Sequence, residues 1–399
     1  GEGRWEFILP SGRLSRKSLR SPGVGRTTDT LAPGGYRMKP SLYILLSFAW
    51  MAAFTACDGM NRGDASPDDP TIHAYFDAVR GEYSGDRALE TVAAMEGTFR
   101  LPGNSGFDGA LEIVAGILEL AGYVPQEDAN PDSPLTYRVE RRAMDQPTWE
   151  PVEGSLDLVG PNAENLLRLS SNLNMVAINS FSTPPEGVEA DLVYAGEGTL
   201  EALESMDVRG KIVFGETSVR RLFARAVQEG GALGVLSYSM PSFNRPQENP
   251  TAIQFSGIPY DPEARGWGLR LSWAVKERLK EALAEGPVRV RVTLNTRSYQ
   301  AEELTLVADV HGQTRPDQRF VLSAHVQEPG ANDNASGVAV QAEVARVLGT
   351  LVTSGAFLPH RTISMIWGDE ISSTHRYVQE DSIRTAGILW GVSLDMVGE

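Results

Sequence analysis

The spacing of apolar positions along this chain changes several times, and each change predicts an element. Leu42 to Ala56 is a predominantly apolar run of 15 residues behind Met38-Lys39-Pro40. It is too short for a comfortable membrane span and suits the apolar stretch of a signal peptide. No other apolar run reaches the length expected of a span. In Ala88–Met95, Leu89, Val92 and Ala93 recur at i, i+3 and i+4, and a similar pattern runs from Leu111 to Leu120 before Gly122. Both predict helices, with the turn-rich Phe99–Gly106 between them. Val288–Leu294 alternates with period two and predicts an amphipathic strand. Apolar runs at about 304–310, 319–324, 361–367 and 388–394 predict further strands, and 338–349 a long helix. Leu304–Val310 ends at His311-Gly312, which reads as a hairpin-like turn. The expected fold class is α/β, a mixed sheet flanked by helices. A β-rich unit over residues 155–297 interrupts it, with strand-like Asp191–Ala195 and Lys211–Phe214 and helices at about 217–229 and 274–284.

Composition adds bounds. Hydrophobic residues make up 41% and charged residues 22% of 399, an ordinary globular balance in a chain long enough for two or three domains. The net charge of −16 argues against nucleic acid as a partner. Residues 1–37 differ from the rest, with seven Lys/Arg against three Asp/Glu, and are expected to be a non-native or disordered leader. Cys57 is the one cysteine, so no intramolecular disulfide can form. It follows Phe54-Thr55-Ala56, and small residues just before a cysteine resemble a bacterial lipoprotein signal. That resemblance implies a signal peptide over 38–57, acylation of Cys57, a tether over 58–70, and an exported protein, periplasmic or at the cell surface, anchored to a membrane by lipid.

The candidate chemistry lies near the C-terminal end. Phe320–Ala324 delivers His325, and Asp333 follows in the turn Gly330-Ala331-Asn332-Asp333-Asn334-Ala335-Ser336-Gly337. Glu370 follows Thr362–Asp369, and Asp395 follows Ile388–Leu394. One imidazole and three carboxylates, each after an apolar run, suit a zinc site at the edge of an α/β sheet, where ligands gather beyond the carboxyl ends of strands. Asp333 is also placed to cap the following helix. His73, His311, His360 and His375 have no ligand-like setting.

These segments, in this order, resemble the zinc aminopeptidase family that includes secreted bacterial aminopeptidases and glutamate carboxypeptidase. The resemblance covers roughly residues 71–399. It implies two zinc ions, with His325 and Asp395 on the first, Asp333 bridging both, Glu370 on the second and Asp369 as general base. It makes 71–154 and 298–399 the two parts of a peptidase domain, and 155–297 an inserted protease-associated domain. Peptides are the implied substrates, with an aminopeptidase expected ahead of a carboxypeptidase. The sequence departs from the family in three places. Asp369 stands where glutamate is usual, one methylene shorter. Gln327 stands where an aspartate orients the histidine, and its amide oxygen, or Glu328, is expected to take the imidazole N–H. A downstream histidine ligand is absent from the sequence, so the chain is expected to bind the second zinc weakly and turn over little. Two alternatives remain: a degenerate binding protein, and a single-zinc enzyme that cyclises N-terminal glutamine.

Overall fold

The computed structural model describes residues 70–398. The expected leader, the signal peptide with Cys57 and nearly all of the tether lie outside them. Among the described residues the strands are β1 (Val124–Pro125), β2 (Leu135–Ala143), β3 (Thr148–Val159), β4 (Glu164–Arg168), β5 (Val188–Tyr194), β6 (Ile212–Gly215), β7 (Gly234–Ser237), β8 (Gly268–Arg270), β9 (Arg289–Tyr299), β10 (Glu302–Val310), β11 (Arg315–His325), β12 (Arg361–Gly368) and β13 (Ile388–Ser393).

They form two sheets. The first has six strands in the order β1-β2-β10-β12-β11-β13, and the second seven in the order β4-β3-β9-β5-β6-β7-β8. In the first, β10 is antiparallel to β2 and β12, while β12, β11 and β13 run parallel. Register pairs His325 with Gly368 and Ser323 with Ser393. Three parallel strands therefore stop along one edge, and the residues that follow them emerge side by side. The turn at His311-Gly312 is not a hairpin. β12 lies between β10 and β11, so that turn begins a crossover. The apolar run of β12 explains the placement, since Ser364–Gly368 is buried throughout, as a central strand requires.

Helices cover the first sheet on both faces. Gly85–Met95, Ser105–Leu120 and Ala335–Thr353 lie on one face, where Phe107, Val114, Leu118, Val338 and Ala342 share a core with Leu306, Ala308 and Met365. Val307, Val321 and Ile366 point the other way, onto Tyr377 of the Ser372–Gln379 helix. The period-two pattern thus decides which side chain enters which layer. Ala335–Thr353 is long and apolar enough to cross a membrane, contrary to the reading that no run beyond Leu42–Ala56 approaches that length. In the fold it is a core helix, 72% buried over its most apolar window.

The second sheet joins the parallel set β5-β6-β7-β8 to the antiparallel β9, β3 and β4. Val290, Val292 and Leu294 of β9 are buried in its core while Arg289 and Arg291 are exposed, as the alternation predicted. The loop 99–104 sews the two sheets together. Phe99 meets Trp149 edge to face at 5.5 Å, and Asn104 Nδ2 donates to the carbonyls of Phe99 at 3.0 Å and Trp149 at 3.2 Å. Asn104 Oδ1 also accepts from Phe107 N and caps the Ser105–Leu120 helix.

Two leucines separate core from surface. Leu306 is fully buried and Leu120 is 93% exposed. Leu306→Ala should cost about 2–5 kcal/mol in urea unfolding, whereas Leu120→Ala should stay within about 0.5 kcal/mol of the parent.

Candidate metal centre

Three of the residues singled out in the sequence converge where the parallel strands end. His325 closes β11, Asp395 lies two residues beyond β13, and Asp333 sits in the turn before the Ala335–Thr353 helix. His325 Nε2 is 3.3 Å from Asp395 Oδ1 and 3.6 Å from Asp333 Oδ1, and one ligand atom from each of the three lies within 4.8 Å of the others. The histidine is buried and the two carboxylates are partly open to solvent.

The imidazole orientation is fixed from behind. His325 Nδ1 lies 2.9 Å from the backbone carbonyl of Gln327. A carbonyl can only accept, so Nδ1 carries a proton and Nε2 is turned toward the two carboxylates. With Nε2 unprotonated the three groups would all be acceptors, a set suited to a cation. Ligand atoms about 2.0–2.2 Å from a tetrahedral zinc sit roughly 3.3–3.6 Å apart, which matches the two distances from His325 Nε2. The expected partner was the Gln327 side chain. Its Oε1 is instead buried without a hydrogen-bond partner, because the backbone carbonyl reaches the ring first.

Asn334 holds the segments in place. Its side chain is buried, and Nδ2 donates to the carbonyls of His325 at 3.3 Å and Leu394 at 3.0 Å. Oδ1 accepts from Gly337 N at 3.1 Å and Met396 N at 3.2 Å. One amide thus ties the end of β11, the end of β13 and the helix start, and Asn334, rather than Asp333, is the N-cap. Gly337 is required by this closure, since a Cβ there would stand 2.3 Å from the Leu394 carbonyl.

Arg100, which the sequence reading passed over, supports the loop after His325. It is fully buried, and its guanidinium donates to the carbonyls of Met95 at 2.7 Å, Val326 at 3.1 Å and Gly330 at 2.7 Å. Burial lowers its pKa to about 10, with Glu328 acting in the opposite direction. An arginine between Phe99 and Leu101 in a turn was the only local signal. Glu328 does not orient His325. Burial raises its pKa to about 8, followed by a hydrogen bond to Asp333 and then the charges of Asp333, Glu370 and Asp395.

The remaining two residues lie off the three-residue cluster. Glu370 acts on it through its charge on Glu328 but is not one of the three converging ligands. The Asp369 carboxylate accepts from Ser372 Oγ at 2.7 Å, and its backbone N–H donates to Ser373 Oγ at 2.8 Å. Burial raises the Asp369 pKa, the Ser372 hydrogen bond lowers it, and Glu303 raises it further.

The fold is mixed α/β, with one histidine and two carboxylates converging at the carboxyl edge of a mixed sheet. Residues 305–399 match the family model described as Peptidase family M28. Carboxypeptidase Q from Bos taurus is 24% identical over 301 residues, 70% of this chain and 57% of that protein. The chain thus spans less than three fifths of that relative. Among solved structures, a peptidase M28 precursor from Shewanella amazonensis aligns with a TM-score of 0.57 at 17% identity, over 82% of this chain and 74% of that one. A zinc aminopeptidase from Bacillus subtilis aligns with a TM-score of 0.52 at 19% identity, over 79% and 70%. At these identities the two structures establish the fold.

Two outcomes follow from the geometry. Arg100→Met should strand the Val326 and Gly330 carbonyls, cost about 2–4 kcal/mol in thermal unfolding, and weaken zinc binding about 10–100-fold in competition with a chelating dye. The pKa of Glu328 is raised in the folded state, so the metal-free fold holds more protons than the unfolded chain between pH 4.5 and about 8. That contribution is complete below pH 4.5 and is lost as pH rises through about 8. Melting temperatures in chelator should carry this downward component from pH 5 to 9, and saturating zinc should abolish it, because a cation inverts the local charge balance.

Proposed function

We propose that this chain is the site-bearing part of an exported zinc exopeptidase, an aminopeptidase that releases N-terminal residues from peptides. The match of residues 305–399 to a peptidase family model supports the class of reaction. One observation carries the metal reading: His325 Nε2, aimed by the contact of Nδ1 with the Gln327 carbonyl, converges with a carboxylate oxygen of Asp333 and one of Asp395. Zinc held there would supply a Lewis acid for the scissile carbonyl and a water of lowered pKa. Two ions are proposed, with Asp333 bridging and Glu370 serving the second.

The rest of the chemistry falls to the chain's own groups. Asp369 is the proposed base, accepting a proton from the attacking water and returning it to the leaving amine. Its burial, with a raised pKa, suits a carboxylate that must both take and give a proton. Ser372 Oγ holds that carboxylate at 2.7 Å and would have to release it, or share it, during turnover. Anchoring at a bacterial membrane through acylated Cys57 belongs to the same proposal. It is supported by the apolar run and small residues before that cysteine.

A second reading is favoured by the same Ser372 contact and by Glu370 standing outside the converging set. On that reading the chain binds metal without turnover. Elemental analysis for zinc, together with hydrolysis of aminoacyl anilides, separates the readings. In protein extended through the natural downstream sequence, which would supply the further histidine ligand, the first expects about two zinc ions per chain and turnover. Asp369→Asn should then retain zinc and lower kcat by about 10²–10⁴-fold, and His325→Ala should lose zinc. Bound zinc with no hydrolysis, and with no cyclisation of N-terminal glutamine, would favour the second. One zinc with cyclisation would overturn both.

A further inference from the structure

A second polar cavity opens at the other end of the six-stranded sheet. It has a volume of about 650 Å³ and is lined by the early residues of β11, the end of β10 and the helix Ser382–Gly387. Arg319 lines it and His325 ends the same strand six residues later, so the two sites are roughly 20 Å apart.

Charge in this cavity is divided into closed and open groups. Arg138 and Asp309 pair at 3.1 Å, and Arg138 also binds Glu140, so these two satisfy each other. Arg319 is under-used. Its Nη1 is spread over Tyr377 Oη at 3.2 Å and Ser364 Oγ at 3.4 Å, with Asp309 at 3.8 Å, and its Nε has no partner. Arg384 lies over the Tyr377 ring at 4.0 Å and directs Nε and Nη2 to the Tyr377 carbonyl, leaving Nη1 unused. Asp381 spends Oδ1 on the N–H groups of Ile383 and Arg384, both at 3.0 Å. The backbone N–H of Arg384 is the largest influence holding its pKa below the ordinary carboxylate value, and the Arg384 and Arg319 charges add to it. Both guanidiniums thus act on Asp381, yet neither forms an ion pair with it, nor does either pair with the exposed Asp317 that also lines the cavity. Two cations and two anions face a shared space without contact.

A ligand carrying one charge of each sign fits such a space. We infer that this cavity is a binding site for a free α-amino acid, its carboxylate taken by Arg319 and Arg384 and its ammonium by Asp381 and Asp317. A guanidinium fork suits a carboxylate, and an aspartate suits an ammonium. A singly charged anion would leave the two aspartates repelling it. The inference rests on the charge arrangement and not on the metal centre. It gains significance under the proposed function because a free amino acid is an exopeptidase product.

The experiment is calorimetric titration of the metal-free protein in chelator with an L-amino acid panel, so that no metal-held amino acid contributes. Saturable binding is expected on the order of 1 mM, the range for so small a ligand. N-acetyl and methyl-ester derivatives, each lacking one charge, should bind about 10-fold more weakly. Asp381→Asn keeps a helix-capping side chain, and Arg384→Gln removes one guanidinium. Both should weaken binding about 10-fold; Asp381→Asn should do so with unchanged melting behaviour, whereas Arg384→Gln also gives up its contacts with the Tyr377 carbonyl and ring. Lack of saturation up to tens of millimolar would overturn the inference. So would binding of inorganic phosphate that equals the amino acid and is indifferent to Asp381→Asn, since the cavity would then be an anion site. Neither result bears on the zinc reading, which His325→Ala tests separately.

Discussion

The carboxamide of Asn334 is the constraint on which the rest of the site depends. Buried polar groups must be satisfied, and this one is, by two carbonyls and two N–H groups, of which those of Leu394 and Met396 are 60 and 62 positions away. Because the side chain has both donors and an acceptor in one plane, it can bind the end of β11, the end of β13 and the first helical turn together. No aspartate could, since it lacks the donors, and no leucine could, since it lacks both. The convergence of His325, Asp333 and Asp395 is therefore a consequence of backbone closure.

Arg100 extends that closure to a second loop. Its guanidinium collects carbonyls on both sides of Glu328, while the adjacent Phe99 is packed against Trp149 in the core of the second sheet. The two sheets therefore meet through the same short segment that steadies the candidate ligands. A hydrogen-bonded charge in such a place is costly to remove, because each carbonyl it serves is otherwise stranded. Trp149 itself donates to the Ser180 carbonyl at 2.8 Å, so the second sheet's side of the junction is held as firmly.

Much of this was legible along the chain and some of it could not have been. Four strands of the first sheet, β10 to β13, were readable because each carries an apolar run ended by turn residues, whereas β1 and β2 carry none and were not read. His325 and Asp395 were readable because they follow such runs directly. The inward residues of β9 were readable from strict alternation. Asn334 gave no sign of its role, since its partners include residues 60 and 62 positions away. Arg100 is further still from its carbonyls, at 226 and 230 positions. The turn at His311 was misread because nothing local reveals that β12 will slip between two consecutive strands. Gln327 was misread through its side chain, when the group that matters there is the carbonyl every residue has.

The fixed geometry of the loops has a consequence for the protein's persistence. Since Asn334 and Arg100 order the ligands within the fold, a cation meets a finished site in the native chain and scattered side chains in the unfolded one. Its binding energy then accrues almost wholly to the native state, about 2.7 kcal/mol when free metal is a hundredfold above the dissociation constant. A shift of that size is enough to alter the population open to proteases several-fold. Zinc supply would thus govern how many copies survive in their compartment, quite apart from what each copy can cleave.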